Sequence, residues 1–128
     1  MCGEVWVVVM WMSDLDHMVA YSVAALASGD QNRIQSLVRD LAEDWPAQSA
    51  LSVSFALTSA AAELEGAAIG NAEAANTGYR LASLVAADVM AIEAMGRSNA
   101  KTTHLLHFWR RVDPFFLKSA GPQFIPSV

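Results

Sequence analysis

Residues 56–94 read ALTSAAAELEGAAIGNAEAANTGYRLASLVAADVMAIEA, and alanine dominates them from end to end. From Ala47 to about Ile69 apolar residues occupy every helical direction, with only Gln, Ser and Thr interrupting before Glu63. A helix of that kind belongs in the middle of a molecule. Pro46 suits its first turn, where the missing N–H would be unpaired anyway. Gly70 and Asn71 end this third helix and start a fourth, which runs to Met95 with Gly96 as its C-cap. Small side chains let two helix backbones approach closely, so the pair is expected to form a long αα-hairpin. Gly78 is a candidate break and leaves the start of the fourth helix open.

Upstream, Ser13 with Asp14 and Asp16 behind it makes a good N-cap, because carboxylates suit the positive end of a helix dipole. Leu15, Val19, Ser22 and Leu26 form one stripe of this first helix, which ends near Ser28 and Gly29. Asp30 caps a second helix, with Ile34, Leu37, Val38, Leu41 and Trp45 on its inner side and a polar outer face. Downstream, Ser98 or Asn99 is expected to cap a fifth helix through Val112. Asp113-Pro114 reads as a cap followed by proline at the first helical position, giving one short turn over Phe115–Lys118. The expected fold is therefore all-α: a five-helix bundle on a long Ala-rich central hairpin, with residues 1–128 as a single helical domain. Residues 1–12 form an apolar arm, and residues 119–128, with Gly121-Pro122 and Pro126, an irregular tail. Within the arm, residues 5–11 have strand propensity, yet a lone strand in an all-α chain can pair only with a second copy.

Composition bears on partners. Hydrophobic residues make up 54% of the chain and charged residues 16%, which is more apolar surface than one small core needs. That surplus and the arm both point to a homodimer. The one cysteine, Cys2, leaves no disulfide framework and fits a reducing compartment. The apolar N-terminus carries Glu4 and no basic region, unlike a signal peptide. The run over residues 5–12 is far short of the roughly 20 residues of a membrane span, and the longest uncharged stretch, Trp45–Ala62, is interrupted by Pro46 and dotted with Ser, Thr and Gln, so a soluble, cytoplasmic protein is expected. Net charge is −5, but residues 1–96 carry −9 and residues 97–128 carry +4. A basic segment on an acidic body can dock internally, onto a second copy, or onto an acidic protein partner.

The densest chemistry lies in HLLHFWRRVDPFF, residues 104–116. On a helical wheel Leu105, Phe108, Trp109, Val112 and Phe116 gather on one side as core anchors. His104, His107, Arg110 and Arg111 gather on the other as a cationic face, which suits an anion because arginine presents a bidentate fork. His104 and His107 are close enough to share a metal. No carboxylate on the helix completes such a site and the flanking arginines repel a cation, so no metal or other cofactor is expected. Nucleic acid is also disfavoured, since binding rests on several phosphate contacts and the body beneath these few bases is acidic. On the fourth helix, Asp88 falls among Leu81, Leu84, Val85, Ile92 and Met95. A buried carboxylate there needs an Arg, a Trp N–H or a hydroxyl as partner, or it serves a site. His17 and Tyr21 read as an exposed, inert pair. No activated serine and no phosphate-cradling glycine loop is present.

These observations favour a non-enzymatic interaction or regulatory protein acting as a homo-oligomer. The alternative is a binder of a small apolar or anionic ligand between helices, oriented by Asp88 or by Arg110 and Arg111.

Overall fold

The computed structural model describes residues 13–67 and 71–117. Five α-helices pack together in it: α1 (Asp14–Ser28), α2 (Gln31–Asp44), α3 (Ala50–Glu65), α4 (Ala72–Ala94) and α5 (Thr102–Arg111), followed by a 3-10 turn over Pro114–Leu117. The apolar arm, the irregular tail, Ile69, Gly70 and Lys118 lie outside the described residues.

Local chemistry sets most helix ends. The Ser13 hydroxyl accepts the backbone N–H of Asp16, and the Asp16 carboxylate accepts the N–H of Ser13, a reciprocal cap. Gly29 closes α1 in the left-handed region at φ 73°. Asp30 accepts the N–H groups of Asn32 and Arg33 at the start of α2, and Asn71 accepts that of Ala74 at the start of α4. Asp113 accepts the N–H of Phe115 ahead of the 3-10 turn.

Two starts differ from the sequence expectation. Pro46 does not open α3; residues 45–49 form a turn and the helix begins at Ala50. Likewise α5 begins at Thr102 rather than after Ser98 or Asn99, and Asn99 sits at φ 54°. The reason is shared. Ser49 and Lys101 form an isolated antiparallel bridge. The N–H of Ala50 donates to the Ala100 carbonyl (2.8 Å), and that of Thr102 to the Gln48 carbonyl (2.9 Å). The fully buried Thr102 hydroxyl donates to the Trp45 carbonyl at 2.6 Å. Backbone groups spent on this stitch cannot also serve helix ladders.

The core is one cluster of buried side chains centred on the α3–α4 hairpin, whose contact is the most extensive in the molecule. The buried face of α4 is Ala74, Ala75, Gly78, Ala82, Val85, Val89 and Ile92, opposite Val53, Ser54, Leu57, Ala60, Ala61 and Leu64 of α3. The Ser54 hydroxyl donates to the Ala82 carbonyl (2.9 Å) and fixes the antiparallel register. α1 lies across both helices, burying Met18, Ser22, Ala25 and Leu26, a stripe rotated from the expected one. Leu15 and Val19 are only partly buried. α2 buries Leu37, Val38, Leu41 and Ala42, and meets α5 and the 3-10 turn.

Gly78 does not break α4. A Cβ built there would stand 2.9 Å from the Ala61 Cβ and 3.0 Å from Leu26 Cδ1. Alanine elsewhere in a helix gains about 1 kcal/mol over glycine. Forcing a methyl into a packed core costs about 1–3 kcal/mol, and the Ala61 Cβ can retreat only if its backbone moves. Gly78→Ala should therefore lower stability in urea denaturation, and Ala61→Gly added to it should restore part of the loss.

Candidate functional site

Asp88 projects from α4 toward α5, where the indole Nε1–H of Trp109 donates to its Oδ2 at 2.8 Å. Trp109 is fully buried and its ring also packs on Phe116, with centroids 4.9 Å apart. Asp88 itself is half-buried and lies at the edge of α4's buried face, not in its middle. The sequence reading set Asp88 in the middle of an arc that included the bulky Leu84 and Met95. The structure centres it on small residues and leaves both of those exposed. Burial pushes the Asp88 carboxyl above the usual carboxylate range; the Trp109 hydrogen bond opposes this and the nearby Asp113 charge adds to it. The carboxylate's hydrogen bond thus goes to a core tryptophan, and not to His104 or His107.

His104 is drawn into the backbone. Its Nδ1 accepts the N–H of Lys101 at 2.8 Å, closing the first turn of α5. An accepting Nδ1 carries no proton, so the ring is neutral with its proton on Nε2. Desolvation holds its pKa below the ordinary histidine value, helped by the neighbouring basic groups of Arg97 and Lys101. His107, Arg110 and Arg111 are exposed. As expected, Leu105, Phe108, Trp109 and Phe116 are buried; Val112, expected beside them, is 61% exposed.

The structure brings His104, His107 and Arg111 together along a groove of about 530 Å³ between the end of α4 and α5. Arg97 and Ser98 join them from the connecting turn, and Ile92, Met95, Phe108 and Val112 supply apolar surface. Arg97 was not singled out from the sequence, because its position depends on the sharp corner at Gly96, where φ is 104°. Asp88 and Arg110 line neither this groove nor a second cleft of about 320 Å³ between the α1–α2 corner and α4. That second cleft includes Gln35, whose Oε1 is buried without a hydrogen-bond partner among the described residues.

A further surface departs from expectation. α3 is not covered all round: Leu51 and Phe55, one turn apart, are 54% and 53% exposed. Met90 on α4 is 71% exposed and shares the open end of the hairpin. His17 and Tyr21 do not act as a pair. The Tyr21 hydroxyl donates to Asp40 Oδ2 (3.0 Å) and its ring lies 6.2 Å from that of Trp45, tying α1 to α2.

Among the described residues no cluster of three or more His, Cys, Asp or Glu side chains could hold a metal ion, and no helix is long and apolar enough to cross a membrane. Compared with known protein families, curated proteins and solved structures, the chain matches none.

Two outcomes follow from this geometry. Asp88→Ala leaves the buried indole N–H without an acceptor, so stability should fall by about 1–3 kcal/mol in chemical denaturation at neutral pH. Asp88→Asn keeps an acceptor and should cost less. Because the folded-state pKa of Asp88 is raised, its contribution to stability is complete below the ordinary carboxylate range and lost as pH rises through the folded value. The asparagine variant should show a smaller decline over that interval.

For His104 the sign is opposite. Its lowered folded pKa means its contribution is complete above the ordinary histidine range and lost as pH falls through the folded value. Melting temperatures measured from slightly alkaline to mildly acid pH should decline for the native chain, and less so for His104→Ala. At the alkaline end that variant should already be less stable by about 0.5–2 kcal/mol, the usual loss of a helix cap.

Proposed function

We propose that the protein is a non-enzymatic interaction or regulatory protein that acts as a homodimer through the outer face of its central hairpin. The observation that carries this reading is the exposure of Leu51, Phe55 and Met90 on the two helices that otherwise build the core. Large apolar side chains uncovered together are the signature of a contact surface. The neighbouring outward positions, Thr58 and Ala62 on α3 and Ser83 and Ala87 on α4, are small, exposed and uncharged.

A second copy suits this face better than an unrelated partner. The chain is acidic overall, at −5, so an uncharged patch is a place where two copies meet without like-charge repulsion. Small side chains let hairpin lie on hairpin closely, and a two-fold axis lets each Phe55 find the same surface on its counterpart. The lone Cys2 suits the cytoplasm as the setting.

Size-exclusion chromatography with light scattering at micromolar concentration should give twice the chain mass of 13.7 kDa. Leu51→Glu combined with Phe55→Glu should give a monomer of unchanged helix content, since both positions are exposed and surface substitutions change stability by only about 0.5 kcal/mol. A native chain that runs as a monomer, or a double variant that still dimerises, overturns the proposal.

A further inference from the structure

The turn after α4 brings Arg97 to the groove that Arg111 of α5 also lines. Among the described residues the lining includes no carboxylate, although the chain has thirteen Asp and Glu residues against eight Lys and Arg. Beside the two arginines lie Met95 and Val112, 65% and 61% exposed, with Ile92 and Phe108 beneath them. Among the described residues each half of this arrangement is left incomplete. Guanidinium groups are suited to bidentate contact with a carboxylate or phosphate, and the uncovered methionine and valine present apolar area to water. One molecule carrying both an anionic head and an apolar body would complete both.

We propose that this groove binds a small single-chain amphiphilic anion, of which a fatty carboxylate is the simplest member. The head lies between Arg97 and Arg111. His104, neutral and held by its Nδ1 bond to the backbone, keeps its Nε2–H as an uncharged donor for the same head. The chain lies over Met95 and Val112. A volume of about 530 Å³ is within the range of small-ligand sites, about 300–1,000 Å³. An amphipathic partner helix is a poorer fit, because it is read by anchors spread over several turns. Here the large exposed apolar side chains are only Met95, at the end of α4, and Val112, at the end of α5, too few anchors for a helix. The site is independent of the proposed dimer: Ile92 and Met95 lie on the side of α4 turned to α5, Met90 on the side turned away.

The test is calorimetric titration of the full chain with decanoate, decanol and decyltrimethylammonium, which share a chain and differ in head charge. Decanoate should bind about tenfold or more tightly than decanol, the worth of one charge-assisted contact, and decyltrimethylammonium should not bind. Arg97→Ala with Arg111→Ala should remove the preference for decanoate while leaving the melting temperature unchanged. Val112→Asp, at an exposed position, places a carboxylate against the site and should abolish decanoate binding in a folded chain. Equal binding of decanoate and decanol overturns the proposal, as does undiminished decanoate binding by either variant. Failure of all three probes overturns it too, including where an acidic amphipathic peptide binds the groove instead. Since dimerisation is read separately by light scattering, a negative titration leaves the hairpin-face reading standing.

Discussion

At Gly78 the backbone of α4 comes so near α3 and α1 that a single added methyl would overlap the Ala61 Cβ and the tip of Leu26. That approach explains the composition of the hairpin. Two helices can lie this close only where the residues at the point of contact are small, here Ala61 and Gly78, and one turn along α4 the Ser54 hydroxyl reaches the Ala82 carbonyl. The gain is dispersion contact between backbones. The cost is that small residues fill little volume, so the bulk of the core must come from elsewhere.

It comes largely from α2 and α5. Among the described residues Trp109 is the largest fully buried side chain, and it closes the gap between α4, α5 and the 3-10 turn that carries Phe116. An indole brings a polar N–H into the interior with it. Asp88 answers that requirement, which is why a carboxylate can sit half-buried on α4 with burial raising its pKa. The aromatic, the acid and the small-residue hairpin are thus parts of one solution. α5 then presents its remaining side to solvent, and that side carries the chain's densest positive charge.

Features decided by neighbouring residues were legible in the sequence. The caps at Ser13 and Asp30, the stop at Gly29 and the turn after Asp113-Pro114 are short-range chemistry, and the structure has them all. The starts of α3 and α5 were not, because the bonds that set them join residues about fifty positions apart. The phase of α4 was hidden by size: a wheel weighted by hydrophobic bulk turns Leu84 and Met95 inward, whereas the close approach turns Ala75, Gly78 and Ala82 inward. Physical chemistry required a partner for Asp88 and included a Trp N–H among the candidates, but could not choose among them. The role of His104 was obscured by the same uncertain helix start, since a side chain three residues past a cap means nothing until the cap is placed. Nor can a helix that is apolar all round reveal that Leu51 and Phe55 are left uncovered.

The stitch between Ser49 and Lys101 has a consequence for the groove nearby. Helix ends usually fray, opening at little free-energy cost, yet the first residues of α3 and α5 each donate a backbone N–H to the segment just before the other helix, which ties the two starts together. Only Arg97, Ser98 and Asn99 lie between the corner at Gly96 and the stitched segment that begins at Ala100. The wall that carries Arg97 is therefore tethered at both ends over a very short span. Its ordering entropy is settled when the chain folds, so an anion arriving there meets a preorganised rim and has little of that cost left to cover on association.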